Sequence, residues 1–424
     1  MYSFLGIDVG TSGVRGCVID ADGRQLADAR VGLPPPRRAG AAVEQDPDSW
    51  WTALVDTLDA LAPRAELARV AAVCLDGTSS TLLLCDDGGT PLTPALMYND
   101  ARATQAAVRI EAVAPADSPA RGASSSLAKL LWLLDTPAAA GATKALHQAD
   151  WLLGRLSGRF DFSDENNALK LGYDPLARGW PDWLDALPLP RMLLPEVVPA
   201  GRTIGRLAPT ICKQWGFASD TRVTSGTTDS TAGFIATGAG PGDAVTTLGS
   251  TLVLKILAGQ PIAAAGLGVY SHRLGDRWLV GGASNSGGAV LRQLFTDDEI
   301  ARYTAQLKPQ QPTGLDYYPL PGPGERFPVS DPQLAPRLAP RPADDALFFQ
   351  AILEGITAIE VRGYRVLEQL GAPAPRRVIT TGGGAVNEGW REMRERALGV
   401  PVIAAEHQEA AYGAALLALR SAPL

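Results

Sequence analysis

The sequence FLGIDVGTSGVRGCVID, residues 4–20, decides the fold. Two apolar runs flank a loop of glycine, threonine and serine, and the carboxylate of Asp8 stands at the mouth of this loop. Short apolar runs joined by a glycine-rich turn are typical of a β-hairpin. The turn signal at Asp22 and Gly23 favours a third strand directly after the hairpin. The N-terminus therefore predicts a sheet that begins with a polar loop between two strands.

Length and composition narrow the class of protein. The chain has 424 residues, enough for two hydrophobic cores, because a single core stops growing at roughly 250–300 residues. A net charge of −7 argues against a nucleic-acid surface, which needs clustered lysine and arginine. The four cysteines lack CxxC spacing and are expected to be reduced core thiols. Neither a signal peptide nor a membrane span is recognisable, so we expect a cytoplasmic protein without a membrane partner; the oligomeric state is left open.

Strands and helices alternate along the first half, as expected for the α/β class. Residues 49–62 have helical periodicity behind a capping stretch at 46–49, and residues 70–86 form a strand, a small polar loop and a second strand. The second half opens with GDAVTTLGSTLVLKIL, residues 242–257, which repeats the strand-turn-strand pattern. This repetition predicts a duplicated domain. With a boundary near the glycine-rich stretch 236–243, we expect domains at 1–238 and 239–424.

The loop after Asp8 has the composition of a phosphate site. Gly10 and Gly13 permit a close backbone approach, and the amides and hydroxyls of Thr11 and Ser12 can surround phosphate oxygens. Asp8 could hold Mg²⁺ directly or through water, because magnesium prefers carboxylate and phosphate oxygens. A tight glycine hairpin without a ligand is the alternative. The loop is not a Walker motif, since GxxxxGK[ST] is absent from the chain.

Two further segments carry residues suited to nucleotide chemistry. In TTGGGAVNEGW, residues 380–390, a strand leads through three glycines to a helix that begins near Asn387 or Glu388, which suits either a nucleotide or close strand-helix packing. In SGTTDSTAG, residues 225–233, Asp229 could be a helix N-cap or a general base that accepts a hydroxyl proton.

In this order, the segments resemble the FGGY family of sugar kinases, within the actin-like ATPase superfamily. SSSLAKLLWLLDT, residues 124–136, closely matches the family's first signature, although Thr136 departs at the last position. LGSTLVLK (248–255), GGASNSGGAVLRQL (281–294) and QEAAYGAALLAL (408–419) resemble further family blocks. The resemblance implies an α/β fold of two duplicated actin-like, ribonuclease H-like ATPase domains with a cleft between them.

The resemblance also implies roles for individual residues. Asp229 matches the catalytic base, and Asp8 matches the carboxylate at the phosphate and metal position, close to the sugar. The implied substrates are ATP and a sugar, with Mg²⁺ as cofactor. The positions that match the ATP-binding motifs are Thr11, Ser12, Gly13, Val14, Arg15, Gly249, Ser250, Thr251, Gly383, Gly384 and Asn387.

Three segments bear on the sugar. The loop DGTSST, residues 76–81, lacks the Gln and Met-His-Gly that xylulose kinases tend to carry there, and Ser79 is either a sugar ligand or a plain turn serine. In MYNDARA, residues 97–103, Asp100 and Arg102 reach the sugar or pair with each other. SDENNALKLGYDP, residues 163–175, is similar to a compact branch of the family, found in cyanobacteria and plants, that acts on D-ribulose.

The resemblance therefore implies an ATP-dependent kinase that converts D-ribulose to D-ribulose 5-phosphate. Two alternatives stay open. The first is a kinase of the same family for D-xylulose or another pentulose or polyol. The second is an actin-like ATP-binding protein that transfers nothing; the presence of Asp229 favours catalysis over it.

Overall fold

The computed structural model describes residues 2–421 of the chain. Contacts divide it into two compact units. The first comprises the chain up to Ala236 together with the segment from Glu409 onward, and the second comprises Thr237–Gln408. The first break lies within the glycine-rich stretch at 236–243, where the sequence predicts a boundary.

The strands and helices of the first unit, up to Ala236, are β1 (Ser3–Val9), β2 (Gly13–Asp20), β3 (Gln25–Gly32), β4 (Arg37–Ala39), β5 (Ala42–Gln45), α1 (Pro47–Leu61), β6 (Val70–Gly77), β7 (Leu82–Cys85), β8 (Ala95–Leu96), α2 (Thr104–Glu111), α3 (Ser126–Leu134), β9 (Lys144–His147), α4 (Gln148–Ser157), β10 (Phe162–Asp164), β11 (Glu196–Val198), β12 (Thr203–Arg206), α5 (Pro209–Trp215), β13 (Arg222–Thr224), β14 (Thr227–Thr228) and α6 (Asp229–Ala236).

The main sheet of this unit has the strand order β12-β13-β6-β1-β2-β3, with β14 also paired to β6. β1 and β2 form the predicted hairpin and β3 follows antiparallel to β2, whereas β6 lies parallel to β1. Leu5, Ile7 and Val9 of β1 are fully buried. Because β1, β6 and β14 run in the same direction, their carboxyl ends meet at one edge of the sheet.

Helix α1 confirms the helical periodicity of residues 49–62 and shows which face it buries. The side chain of Asp46 caps its N-terminus by accepting the amide of Asp48, and Trp50, Leu54 and Leu58 recur every four residues on one buried face. This face packs on β2 and β3. A second, antiparallel sheet has the order β4-β5-β8-β7-β9, and β10 pairs with β11.

The second unit contains β15 (Asp243–Leu248), β16 (Leu252–Ala258), β17 (Tyr270–Leu274), β18 (Arg277–Ser284), α7 (Gly288–Leu294), α8 (Asp297–Thr304), α9 (Asp345–Gln369), β19 (Arg377–Thr381), α10 (Glu388–Leu398) and β20 (Val402–Ala404). Its sheet has the order β17-β18-β16-β15-β19-β20. As in the first unit, the first strand pairs antiparallel with the second and parallel with a later strand, β19. The mixed α/β class and the duplication expected from the sequence are thus present.

The last helix, α11 (Ala410–Arg420), packs on β1 and α6 of the first unit. Two glycines allow this close packing, since a Cβ on Gly6 would lie 2.0 Å from the carbonyl oxygen of Ala411, and one on Gly413 would lie 1.9 Å from that of Ala232. The predicted second domain, 239–424, includes this helix. Its small residues bury it against the first unit, and sequence order alone does not reveal this packing.

The four cysteines are free and buried, as expected. Within the described residues, no helix is both long and apolar enough to cross a membrane.

Candidate active site

Asp8 lies at the carboxyl end of β1 and is almost fully buried. The hairpin register places Arg15 of β2 directly opposite it, and Nη1 of Arg15 donates to Oδ2 of Asp8 at 2.7 Å. Burial raises the pKa of Asp8 above its ordinary value, while the neighbouring guanidinium opposes this rise. Arg15 is also 3.3 Å from the carboxylate of Glu409, so this arginine links two carboxylates.

The predicted phosphate loop is the tight turn between β1 and β2. The amide of Gly10 donates to the carbonyl of Gly13 at 3.0 Å, which closes the turn. The hydroxyls of Thr11 and Ser12 make no hydrogen bond to the residues that the structure describes, and Ser12 is exposed. The side chain of Val14 is fully buried in the core, so only its backbone could take part in binding.

Asp76 is the penultimate residue of β6 and is the cross-strand partner of Asp8 on one side and of Thr227 on the other. It is fully buried, its carboxylate interacts with that of Asp8, and no other side chain or amide among residues 2–421 hydrogen-bonds to its oxygens. Burial raises its pKa well above the ordinary range, and the charges of Asp8 and Asp229 raise it further. The charges of Asp8 and Asp229 therefore both act on Asp76 at the edge where the parallel strands end.

Asp229 is the first residue of α6, directly after β14. It is half-buried, and its Oδ1 accepts the amide of Ser230 at 2.6 Å. The hydroxyls of Thr228 and Thr231 hydrogen-bond to each other at 2.9 Å across this helix start. The carboxylate therefore stands inside the helix, one position beyond an N-cap.

The loop after Asp76 is held by buried polar side chains. The amide and hydroxyl of Thr78 both donate to Oε1 of Gln148, at 2.9 and 2.8 Å. Nζ of Lys129, itself fully buried, donates to the carbonyl of Ser80 at 2.8 Å. Ser80 has a φ of 67°, which a side chain adopts only when its surroundings hold it there. Ser79 is half-buried at the tip, with no hydrogen bond from its hydroxyl to the described residues.

Asp100 and Arg102 pair with each other, which is the alternative that the sequence leaves open for them. Asp100 is fully buried and accepts Nη2 of Arg102 at 2.7 Å and the amide of Val43 at 2.7 Å. Arg102 also donates to Glu44 at 2.7 Å and stacks 4.9 Å from the ring centre of Trp132. Because both side chains already form hydrogen bonds within the protein, the geometry favours a structural role in residues 97–103 over direct contact with a sugar.

The second unit contains a cavity of about 450 Å³ at the carboxyl ends of β15 and β19. Apolar side chains, glycine backbones and a few polar groups line it. Its lining residues are Leu248, Gly249, Ser250, Gly287, Gly288, Leu291, Arg292, Asp297, Ile300, Ala301, Thr304, Phe349, Leu353, Gly383, Gly384, Val386, Asn387 and Trp390.

The loop 249–251 between β15 and β16 is fixed by the start of α7. The amide of Gly288 donates to the carbonyl of Gly249 at 2.8 Å, and that of Ala289 to Ser250 at 3.1 Å. Nη2 of Arg292 donates to the hydroxyl of Ser250 at 2.6 Å. Arg292 therefore places a positive charge in the cavity beside this loop. Thr251 is half-buried, and its carbonyl accepts the amide of Gly249.

The three consecutive glycines separate β19 from α10. A Cβ on Gly384 would lie 2.7 Å from Cβ of Leu248 and 2.8 Å from the ring of Trp390, whereas one on Gly383 would meet nothing within 4 Å. Asn387 caps α10 by accepting the amide of Trp390 at 2.9 Å. The predicted helix start is correct, and Gly383, Gly384 and Asn387 all line the cavity.

Comparison with known proteins also divides the chain into two domains. Residues 3–236 match the FGGY family of carbohydrate kinases, N-terminal domain, and residues 244–422 match its C-terminal domain. The chain belongs to the FGGY family of carbohydrate kinases. It is therefore an ATP-dependent carbohydrate kinase of the two-domain actin-like fold, and the family resemblance stated from the sequence is confirmed.

Individual members of the FGGY family resemble the chain over most of its length. A xylulose kinase of Escherichia coli (strain K12) is 29% identical over 409 residues, 92% of this chain and 84% of that protein. The crystal structure of a xylulose kinase from Brucella ovis is 25% identical in sequence, with a TM-score of 0.90. The match covers 100% of this chain and 91% of that one. A gluconate kinase from Lactobacillus acidophilus is 20% identical, with a TM-score of 0.86, and the match covers 99% of this chain and 89% of that one. At this identity it shows the shared fold alone. The expected relation to D-ribulose kinases finds no support in these relatives.

The FGGY fold implies a Mg²⁺ ion that accompanies ATP. Among the described residues, no group of three or more histidines, cysteines or carboxylates could hold a metal by itself. Mg²⁺ in phosphoryl-transfer sites often has only one or two protein carboxylates, with phosphates and water completing its shell. The buried carboxylate of Asp8, next to the open loop 10–13, fits that requirement.

Four residues of these sites were not identified from the sequence. Asp76 lies in the loop that the sequence singles out, but the hydroxyl of Ser79 was favoured over its carboxylate. Lys129 belongs to the matched family signature, and Gln148 and Arg292 carry no local signal. The burial that makes Asp76 and Lys129 notable depends on strand pairing and helix packing.

Proposed function

We propose that the chain transfers the γ-phosphoryl group of ATP to a hydroxyl of a pentulose. The observation that carries the proposal is the position of Asp229, at the start of α6 and close enough to Asp76 to raise its pKa, at the edge where β1, β6 and β14 end. Ligands of open α/β sheets bind outside the carboxyl ends of the strands. We therefore place the sugar at this edge of the first unit.

Asp229 acts as the general base. Its carboxylate accepts the proton of the sugar hydroxyl while the hydroxyl oxygen forms a bond to the γ-phosphorus and the bond from that phosphorus to ADP breaks. Asp8 would hold Mg²⁺ directly or through water, and the ion supplies charge neutralisation to the phosphates. Thr11, Ser12 and Arg15 offer donors to phosphate oxygens because the first two hydroxyls are unoccupied by the described residues.

The second unit binds the nucleotide in its cavity. About 450 Å³ lies within the range of small-molecule pockets. The apolar wall, including Phe349 and Trp390, suits a purine base, whereas Ser250 and Arg292 suit phosphates. Gly249 and Thr251 contribute backbone to the same loop, and Gly383, Gly384 and Asn387 of the glycine turn also line the cavity.

D-Xylulose is the first candidate for the pentulose, because similar proteins from several bacteria are named xylulose kinase. D-Ribulose is the second candidate. The loop at 76–81 favours it, since it carries Asp76 and small hydroxyl residues in place of the Gln and Met-His-Gly expected for xylulose. These ketoses differ in configuration at one carbon, so one or two hydrogen bonds decide between them.

The proposal is tested by identifying the product. The purified chain is incubated with ATP, Mg²⁺ and each of D-xylulose, D-ribulose, glycerol and D-gluconate, and sugar phosphates are detected by mass spectrometry. We expect a pentulose phosphate from at least one ketose and none from D-gluconate, because the site contains three carboxylates. Formation of no sugar phosphate, with ATP binding intact, would instead support a protein that binds ATP without transfer.

A further inference from the structure

The carboxylate of Asp164 holds a tight turn at the end of β10. Its Oδ1 accepts the amides of Asn166 and Asn167 at 2.8 and 3.0 Å, and its Oδ2 accepts Nδ2 of Asn167 at 2.6 Å. An aspartate that accepts the amide two residues later is typical of an Asx turn. All three side chains are almost fully buried. The turn therefore holds Asn166 in one orientation inside the first unit.

The side chain of Asn166 reaches a strand of the main sheet. Its Nδ2 donates to Oγ1 of Thr227 at 3.0 Å, and both residues are almost fully buried. Asn166 follows β10, which pairs with β11 in a separate two-stranded sheet, whereas Thr227 is the first residue of β14. The bond therefore joins a turn outside the main sheet to the strand that leads into α6.

Strand β14 is only two residues long, and α6 begins directly after it with Asp229. The residue before the strand, Gly226, packs against β6, since a Cβ there would lie 2.0 Å from the carbonyl oxygen of Leu75. A strand this short forms few ladder hydrogen bonds, so side-chain bonds matter more for its position. The bond from Asn166 acts on Thr227, two residues before the proposed base.

The neighbouring buried threonines form bonds of a different kind. The hydroxyls of Thr221 and Thr224 donate to the carbonyls of Val70 and Val73 at 2.8 and 3.1 Å. Those carbonyls belong to β6, so these bonds join segments of the same sheet. Thr227 instead accepts a side chain from outside that sheet. Thr224 is therefore a matched control, a buried hydroxyl of the same sheet on a strand that does not lead into α6.

We propose that Asn166 is a positioning residue of this kinase, which fixes the start of α6, and with it the carboxylate of Asp229, through its hydrogen bond to Thr227. The inference rests on the proposed function, because it takes Asp229 as the general base. A base must lie within hydrogen-bond reach of the proton that it accepts. A displacement of about 1 Å can lower a rate by about 10²-fold. Loss of the bond should therefore lower kcat and leave the binding of ATP unchanged.

The test compares Asn166→Ala and Thr227→Val with the control Thr224→Val. The first two variants remove opposite ends of one bond, and each should lower kcat for the preferred pentulose by about 10- to 100-fold. KM for ATP should stay near the wild-type value, because the nucleotide cavity consists of residues of the second unit. Thr227→Ser keeps the hydroxyl and should retain most of the wild-type kcat. Thr224→Val also loses a buried hydroxyl but should not lower kcat.

Double variants separate positioning from a general loss of stability. Asn166→Ala combined with Thr227→Val should lose no more kcat than either variant alone, because both remove the same bond. In an Asp229→Ala background, Asn166→Ala should lower kcat no further, because Asn166 acts through that carboxylate. Melting temperatures are measured in parallel, and all rates are determined well below the lowest of them.

Losses of kcat that multiply in either double variant would overturn the proposal. An unchanged kcat in Asn166→Ala, or an equal loss in Thr224→Val, would also overturn it. If Asn166→Ala does not fold, the comparison of Thr227→Val with Thr227→Ser decides, and equal kcat values for these two would contradict the proposal. A wild type inactive on every pentulose, or an Asp229→Ala variant with the wild-type kcat, would instead overturn the proposed function itself.

Discussion

Asp8 and Asp76 are direct cross-strand partners in adjacent parallel strands, yet only Asp8 has a cation against it. Arg15 donates to Asp8 at 2.7 Å, whereas Asp76 has no cation against it among the described residues and interacts instead with Asp8. Like charges this close disfavour double ionisation, and burial adds to the effect. The pair therefore separates into a carboxylate held by an arginine and a buried carboxyl group whose pKa is raised by burial and by its neighbour.

The first prediction concerns the base. Asp229→Ala should lower kcat by about 10²- to 10⁴-fold, the usual contribution of a positioned general base. The affinity for ATP should stay within about threefold of wild type, because the nucleotide cavity consists of residues of the second unit. Steady-state kinetics and calorimetric titration with ATP measure the two effects. A parallel collapse of ATP affinity would show that Asp229 does not have the role proposed.

The second prediction separates packing from nucleotide contact in the glycine turn. Gly384→Ala forces a Cβ against Leu248 and Trp390, so it should lower the free energy of unfolding by about 1–3 kcal/mol. Gly383→Ala meets nothing within 4 Å and should leave stability unchanged. Because Gly383 lines the cavity, its variant should still raise KM for ATP. Equal stability of the two variants, measured by urea unfolding, would contradict the packing argument.

The third prediction concerns Lys129 and pH. Burial lowers the pKa of Lys129 from 10.5 to about 7, while Asp100 opposes this shift and Lys170 adds to it. Between these two values the unfolded chain holds a proton that the folded chain lacks, so this residue makes stability rise with pH. Lys129→Met removes the effect.

Urea unfolding of wild type and Lys129→Met at pH 7 and pH 8.5 measures this contribution. We expect the wild-type free energy of unfolding, relative to that of the variant, to be larger at the higher pH. The buried cysteines are common to both proteins and cancel in the comparison. A difference that is constant with pH would mean that Lys129 stays charged in the fold.

The fourth prediction concerns the ion pair in the core of the second unit. Arg394 donates to both carboxylate oxygens of Glu360 at 2.7 Å, and both side chains are almost fully buried. Glu360→Gln leaves a buried guanidinium without its counter-charge and should cost about 3–5 kcal/mol of unfolding free energy. The control Asp316→Asn breaks an exposed pair with Arg337 and should cost less than about 1 kcal/mol. Similar losses in both variants would refute the burial argument.

Much of the fold follows from local sequence patterns. The glycine turn after Asp8, the cap at Asp46 and the start of α10 at Asn387 each depend on a few neighbouring residues, and each is where the sequence predicts it. The repeated strand-turn-strand pattern at 242–257 likewise predicts the hairpin that begins the second sheet.

Features that depend on distant contacts were not predicted. The pairing of Asp8 with Asp76 joins strands from separate segments, so the sequence does not show that Asp76 is buried beside Asp8. The return of α11 to the first unit depends on Gly6 and Gly413, whose missing side chains carry no periodic signal. The spacing of Asp100 and Arg102 in the sequence allows them either to pair with each other or to bind a ligand. Only the folded structure, in which Asp100 is buried and bonded to Arg102, favours pairing.

Sugar-dependent release of ADP tests the central claim most directly. Wild type and Asp229→Ala are assayed with ATP and Mg²⁺ against D-xylulose, D-ribulose, glycerol and D-gluconate. The account predicts saturable ADP release by the wild type with a pentulose, a rate at least about 10²-fold lower for Asp229→Ala, and none above background with D-gluconate. ADP release that is independent of any sugar, or equal in the two proteins, would contradict it.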